Sequence, residues 1–557
     1  MNHRAHFKKF GPLLTRRKVR PKADQERFGF FLFLTLTLTL TLTLIPVVSS
    51  LADPLTPRER QGKHLYLKTT SPSGREIKAF IGIASTEAPG EAMPCVNCHG
   101  QDGRGRPSSG IFPSNIIWQE LTKSYGIRHS DGREHPAYTG ETIRRAITKG
   151  IDPAGNRLNP AMPLYSMPEE DLEALIAYLK RLGTDLDPGL SETQIRIGTL
   201  FPSEGPFKEM GEAIKKVLQA LFSDANERGG IYHRQLELVT EGYSGREGLG
   251  KKQTLDFLQR QDLFALISPF TPGLDRELPS LVEAEGIPLI GPYTIFPTGY
   301  LSLNQYTFYI LSGLSEQARA LVDFAATSLK IENPRMAIVY SRNEDFKESI
   351  EATEGECKAR GWNRVFKREY SLKPFLGKEL TKSLRAEGME VLLFFGDEAE
   401  ANALLGEIKE ENWSPVILLL GVLTGKGVYA IPDRLKHRVY LAYPALPEDR
   451  KEAEMRKLMA VAQKYHLPSA YLAAQLSAYS AVQILFEGLM RSGREVSREK
   501  LLLNLERLFE FNTGLTPLIT YGPNKHIGAM GAYIVTVDPD KKETKDFISS
   551  KKWVALN

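Results

Sequence analysis

The sequence predicts a multidomain protein, with a small all-α domain near the amino terminus and a two-lobed α/β body behind it. Three observations carry that expectation. The chain has 557 residues, too many for one hydrophobic core. Helical signatures at 56–67, 140–148 and 168–182 bracket a Cys-x-x-Cys-His motif. From residue 195 onward short apolar runs alternate with helical stretches, the order that builds parallel sheets with crossover helices.

Composition narrows the classes. Hydrophobic residues make up 42% and charged residues 25%, as in ordinary globular proteins. The net charge of +5 owes much to the first 27 residues, which carry Arg4, Lys8, Lys9, Arg16, Arg17, Lys18, Arg20, Lys22 and Arg27. The rest is near neutral, so there is no electrostatic case for a nucleic-acid partner. Three cysteines exclude a disulfide-stapled scaffold. Cys357 stands apart and reads as a partly buried thiol in a helix.

Basic residues precede an apolar run from Phe28 to Ile45, broken by Pro46 and followed by Ser50-Leu51-Ala52. That is the order of a signal peptide. The run also reaches the minimum length of a membrane span, so residues 1–52 are expected to be a signal peptide or a membrane anchor.

The front domain is expected over 53–187. Met93-Pro94-Cys95-Val96-Asn97-Cys98-His99-Gly100 holds the attachment signature of a c-type haem. Two thiols on one turn can each form a thioether to a vinyl group, and His99 can ligate the iron from one face. A bare Cys-x-x-Cys could instead be a thiol redox pair or half a zinc site; the zinc site needs further ligands, no second cysteine pair exists, and only His129 and His135 could contribute. The sixth position needs a soft donor or another imidazole. Met162 sits in Asn159-Pro160-Ala161-Met162-Pro163, where prolines stiffen the loop; Met167, Met93, His129 and His135 are its rivals. The closing helix, 168–182, places Leu172, Leu175, Ile176, Leu179 and Leu182 at helical spacing. Its first turn is acidic and its last basic, which suits the helix dipole. The insertion between His99 and Gly140, with Trp118, Tyr125, His129 and His135, has no role legible from its residues.

These features resemble a class I cytochrome c domain over about 55–185. The resemblance implies one covalent haem c, bound through Cys95, Cys98, His99 and Met162. His99 and Met162 would face each other across the iron, and the closing helix would pack on the opening one.

Residues 188–193 read as a linker, with Pro188 and Gly189. The body is expected over 194–557. Strands are predicted at 195–200, 236–240, 263–267, 287–290, 335–340, 365–370, 391–395 and 415–420. Helices are predicted at 207–228, 250–260, 274–285, 318–329, 347–360 and 398–412. Val391-Leu392-Leu393-Phe394-Phe395 is continuously apolar, as a strand buried on both faces should be. Pro447 to Lys457 reads as a solvated helix face. His233, His437 and His466 are isolated and need no metal, and the glycines of 100–110 lack a phosphate-loop lysine.

This serial pattern resembles the type I periplasmic solute-binding family, particularly receptors of the branched-chain amino-acid type. The residues that carry the resemblance include Asp224-Ala225-Asn226-Glu227-Arg228-Gly229-Gly230, Leu281 to Pro292, Leu472 to Ser492 and Tyr521 to Gly528. It implies a hinged clamp with a small organic solute between lobes. Ser203, Ser268, Thr271, Gly273, Tyr293 and Tyr309 would face the solute, with 342–346 as further candidates. Pro269, Phe270 and Pro272 stand where smaller residues are common, which puts an amino-acid solute in doubt. Nothing pairs a nucleophile with a base, so an enzyme is not expected. The two resemblances together imply an exported electron carrier fused to a solute receptor, accessory to a periplasmic oxidation system, with a periplasmic redox partner. The alternative is a transporter-associated or sensory receptor whose haem reports redox state.

Overall fold

The front domain is built around one helix crossing. In the computed structural model, which describes residues 55–107, 110–129, 132–245, 248–298, 305–342, 344–370, 377–424, 431–537 and 548–556, Thr56 starts the helix Pro57–Lys68. Its hydroxyl accepts the Glu59 N–H, and the Glu59 carboxylate accepts the Thr56 N–H at 2.7 Å, a reciprocal cap. This helix crosses Glu169–Leu179 at Gly62, where a Cβ would lie 2.0 Å from the Ala174 carbonyl oxygen. The rings of Tyr66 and Tyr178 meet beside the crossing, 5.7 Å apart. A third helix, Gly140–Lys149, buries Ile143, Ala146 and Ile147 in the same core.

All three predicted helices are therefore present, within three residues of their expected ends, and the opening and closing helices pack as the resemblance implied. The domain is not purely helical. Lys78–Ile81 pairs antiparallel with Thr86–Pro89 and with Leu164–Ser166, and Ile127–Arg128 pairs with Glu134–His135. Strands of two to four residues carry no readable period, which is why the sequence did not announce them. The predicted targeting segment lies outside the described residues.

The body has two sheets. The first lobe's sheet runs in the order Ile527–Ala529, Thr307–Leu311, Leu289–Ile290, Ala265–Ile267, Gln194–Pro202, Gln235–Tyr243, and every pairing is parallel. The second runs Val365–Tyr370, Met336–Ser341, Val391–Phe395, Val416–Leu420, Val439–Tyr443, Gly531–Val537, Ile548–Ala555. Its first five strands are parallel and its last two antiparallel, so a purely parallel second sheet is not what forms. Val391 to Phe395 are all buried, as their unbroken apolar run requires.

The chain passes between lobes after Leu311, after Tyr443 and again after Ala529. The Ser312 hydroxyl donates to the Gly531 carbonyl at 2.5 Å and ties two of these crossings together. The helices Glu452–Lys464, Leu472–Ser492 and Arg498–Glu506 return to the first lobe and contribute to its core. His233, His437 and His466 each hold a positive φ, of 67, 61 and 53°, so they are turn residues. Cys357 is fully buried in Lys347–Ala359, its Sγ 3.6 Å from Met336 Sδ.

Residues 54–557 pack as one unit, and the stretch read as a linker is ordered against the body. Leu190 is buried and bridges Ile195. The first turn of Arg498–Glu506 is the junction. The Arg498 backbone N–H donates to Asp187 at 2.6 Å, and its guanidinium donates to the carbonyls of Leu263, Phe264 and Gly286. Burial lifts the Asp187 carboxyl above the usual range, although Arg498 opposes this. The Glu499 carboxylate accepts the Gln101 N–H at 2.9 Å and pairs with Arg106. Among the described residues no helix is long and apolar enough to cross a membrane.

Candidate cofactor and solute sites

Cys95, Cys98 and His99 share one helical turn, Cys95–His99, entered through Pro94. Two tyrosines fix its ends. Tyr66 donates to the Gly100 carbonyl and Tyr165 to the Met93 carbonyl, each at 2.5 Å. Gly100, Gly103 and Gly105 follow with φ of 76, 73 and 88°, a left-handed run that turns the chain back so that Gly105 N–H reaches the His99 carbonyl.

All three motif residues line one cavity of about 200 Å³, and Met162 lines it too. So do Met93, His129 and His135, whereas Met167 packs into the domain core. Asn159 shapes the Met162 loop, accepting the Met162 N–H on its carbonyl and the Ala161 N–H on its side chain, both at 2.9 Å. The remaining walls are mainly apolar, with Ile143, Ile147, Leu175 and Leu179 among them.

The electrostatics suit a ligand set. His99 Nδ1–H donates to the Ser114 carbonyl at 3.0 Å, leaving Nε2 as the lone-pair nitrogen. Burial lowers the His99 pKa and keeps the ring neutral. Desolvation pushes the Cys95 thiol up to about 11. Among the described residues no cluster of three or more His, Cys, Asp or Glu side chains could hold a bare metal ion. The pattern is two thiols and an imine nitrogen on one turn, with a thioether in the same apolar cavity. These residues fit a covalently held haem.

The insertion after His99 now has a place. Its hairpin puts His129, Arg133 and His135 on the cavity wall. His135 Nδ1–H donates to the Pro136 carbonyl at 2.7 Å. Its Nε2 stands 2.9 Å from His129 Nε2, so in the neutral pair His129 is the donor. Arg133 pairs with buried Asp152 at 3.1 Å. Ile111 and Phe112 line the cavity yet remain 42% and 73% exposed, which places one edge of it at the surface. No residue-level signal revealed this, because the hairpin strands are too short.

The expected solute residues cluster at the carboxyl ends of first-lobe strands. Thr271, Tyr293 and Tyr309 line a small cavity of about 10 Å³ with Pro269, Asp275 and Thr294. Ser268 is fully buried at φ 44°, a strained setting for a residue with a side chain, and its hydroxyl donates to the Gly291 carbonyl. Gly273 turns at φ 86°. Ser203 lies one strand away, its hydroxyl on the Tyr243 carbonyl at 3.0 Å. Tyr309 is buried, its hydroxyl 3.0 Å from that of Thr298. Of the stretch 342–346, Asn343 lies outside the described residues.

Two further residues had no sequence signal. Burial raises the pKa of Asp275. Arg276 reaches across to the second lobe, donating to the Asp345 carbonyl and standing 3.8 Å from Glu348.

Comparison with known proteins agrees with this division. A periplasmic binding protein family model matches residues 194–543, and a cytochrome c family model matches residues 92–183. No curated protein matches the sequence. Among solved structures, the chain is similar to a fatty acid ABC transporter substrate-binding protein from Thermomonospora curvata. Identity is 16% and the TM-score 0.50, covering 67% of this chain and 94% of that one. It is likewise similar to an ABC transporter substrate-binding protein from Aeropyrum pernix, at 16% identity and a TM-score of 0.50 over 65% of this chain and 95% of that one. At such identities the likeness concerns the fold alone.

Proposed function

The chain belongs to the periplasmic binding protein family, and from that premise we propose that it is an exported one-haem electron carrier with a fused solute receptor. The observation that carries the reading is His99. Its Nδ1–H is held by Ser114, and it shares one apolar cavity with Cys95, Cys98 and Met162.

Haem, when bound, supplies reversible one-electron exchange. Cys95 and Cys98 would anchor it through two thioethers, and the loss of two thiols suits a cavity that disfavours thiolate at Cys95. His99, oriented by Ser114, would hold the iron through Nε2, and Met162 through its thioether sulfur. The aliphatic wall excludes water and holds the environment apolar, which raises a potential. Arg133 and the His129–His135 pair are the polar groups on the hairpin wall, and they would meet the haem carboxylates. Ile111 and Phe112 frame the surface edge at which a periplasmic redox partner would dock.

In the body, the three interlobe passages would serve as a hinge, with the Ser312–Gly531 tie between two of them, and Arg276 bridges the lobes. Solute held at the strand ends would favour the closed arrangement. On this reading the protein would work in the periplasm, free or anchored at the inner membrane.

The test is native mass spectrometry of protein exported in a host able to attach haem. The expected mass includes one porphyrin, lost in Cys95→Ala/Cys98→Ala. Met162→Ala is expected to keep the porphyrin and lose the methionine-to-iron charge-transfer band. Mature wild-type protein without covalent porphyrin overturns the reading.

A further inference from the structure

On the reading of the body as a receptor, we infer that its solute is an apolar molecule, uncharged or cationic, that carries no carboxylate. The argument is an accounting of hydrogen-bond donors and charges at the first lobe's rim.

A carboxylate needs N–H or O–H donors aimed at it, or a cation, because leaving it unpaired in a closed cleft is costly. Much of the rim's donor set is committed elsewhere, the Thr271 N–H and hydroxyl and the Tyr293 hydroxyl standing outside that count. Ser203 gives both its N–H and its hydroxyl to the Tyr243 carbonyl. Ser268 gives its N–H to Ile290 and its hydroxyl to Gly291. The N–H groups of Phe270, Tyr293 and Leu274 go to the carbonyls of Leu200, Pro269 and Thr271. The Gly273 N–H goes to Asp275, and the Tyr243 hydroxyl to the Pro272 carbonyl. Pro269, Pro272 and Pro292 have no N–H to offer.

Charge points the same way. Arg276 is the one basic residue in the segment 268–296; its terminal nitrogens face the second lobe, while its Nε–H is buried without a hydrogen-bond partner. Asp275 and Glu204 are acidic groups of the rim loops, the latter holding the Ser244 hydroxyl at 2.5 Å. On the facing loop Arg342 is paired with Glu369.

What the rim does present is aromatic. Phe207, Phe270 and Tyr293 come from three different strand-end loops and meet edge to face. Their centroids are 5.7 and 5.3 Å apart, with interplanar angles of 76 and 74°. Phe207 remains 44% exposed although it follows a strand end at the rim. A braced aromatic surface offers area and ring faces that attract apolar groups and cations, and it repels carboxylate oxygens.

The test uses four small probes on the full-length haem-loaded protein, followed by calorimetric titration and by X-ray scattering for lobe closure. Indole and 2-phenylethylamine keep the ring without a carboxylate; phenylacetate and phenylalanine keep the ring and add one. Indole or 2-phenylethylamine is expected to bind at least about tenfold tighter than phenylalanine, with closure. Phe207→Ala, at an exposed position, is expected to weaken that binding about five- to tenfold. Asp275→Asn is expected to narrow the discrimination against phenylacetate. Tighter binding of phenylalanine or phenylacetate overturns the inference and leaves the receptor standing. So does a carboxylate solute retained in the native mass spectrum. Silence of all four probes, with no retained solute and no closure, overturns the receptor reading and the inference with it.

Discussion

Glu316 shows how far one buried carboxyl can set a pH dependence. Its Oε2 accepts the Gly313 N–H at 2.9 Å at the start of Leu314–Thr327, while Oε1 is buried without a partner. Burial pushes its pKa from the ordinary 4.5 to about 7. The folded state thus binds the proton more tightly than the unfolded chain does. Stability on this account is full below pH 4.5 and declines as pH rises through the window to about 7. The loss above that window is of the order of 3 kcal/mol. Glu316→Gln keeps an acceptor for Gly313 and has no charge to desolvate. In urea unfolding at pH 5 and pH 8, the variant is expected to lose less stability between the two than the wild type. Equal losses would show that Glu316 stays ionised without penalty.

At the scale of elements, the crossing of Pro57–Lys68 over Glu169–Leu179 depends on a missing side chain. Alanine at position 62 would gain up to about 1 kcal/mol of helix propensity. Its Cβ would meet the Ala174 carbonyl oxygen at 2.0 Å and Tyr178 Cβ at 2.7 Å. Backbone cannot step aside as a flexible side chain can, so overpacking wins, at about 1–3 kcal/mol or more. Gly62→Ala is expected to lower the thermal midpoint of the front domain by several degrees, followed by haem absorbance. A midpoint unchanged or raised would mean the helices separate freely.

At the scale of the whole molecule, two neighbouring residues join the domains by different physics. Arg498 is 6% exposed and serves three carbonyls of the first lobe. Glu499 pairs with Arg106, whose side chain is 44% exposed. Removing a buried cation strands its partners and costs about 3–5 kcal/mol, whereas a pair open to solvent on its Arg106 side is worth about 1 kcal/mol. Arg498→Met is therefore expected to lower the calorimetric transition of the body strongly, and Glu499→Gln to move it little. The reverse order would place the strength of the junction in its ion pair.

Much of this was legible in the residues themselves. Cys95, Cys98 and His99 are neighbours in sequence, so the chemistry they share is local and a motif can state it. Long helices carry their own period and the strand at 391–395 its unbroken apolar run, and local sequence encodes both. Tertiary structure alone decided that the strand pair Ile127–Arg128 and Glu134–His135 lies at the cavity of Cys95, Cys98, His99 and Met162, and that two antiparallel strands close the second sheet. It alone spent the rim donors of Ser203 and Ser268 on carbonyls of their own lobe and brought Glu499 to Gln101 and Arg106. Each of these joins groups far apart along the chain, in one case 398 residues apart. Their pairing is settled by which surfaces meet when apolar faces are buried, and no local pattern records that choice.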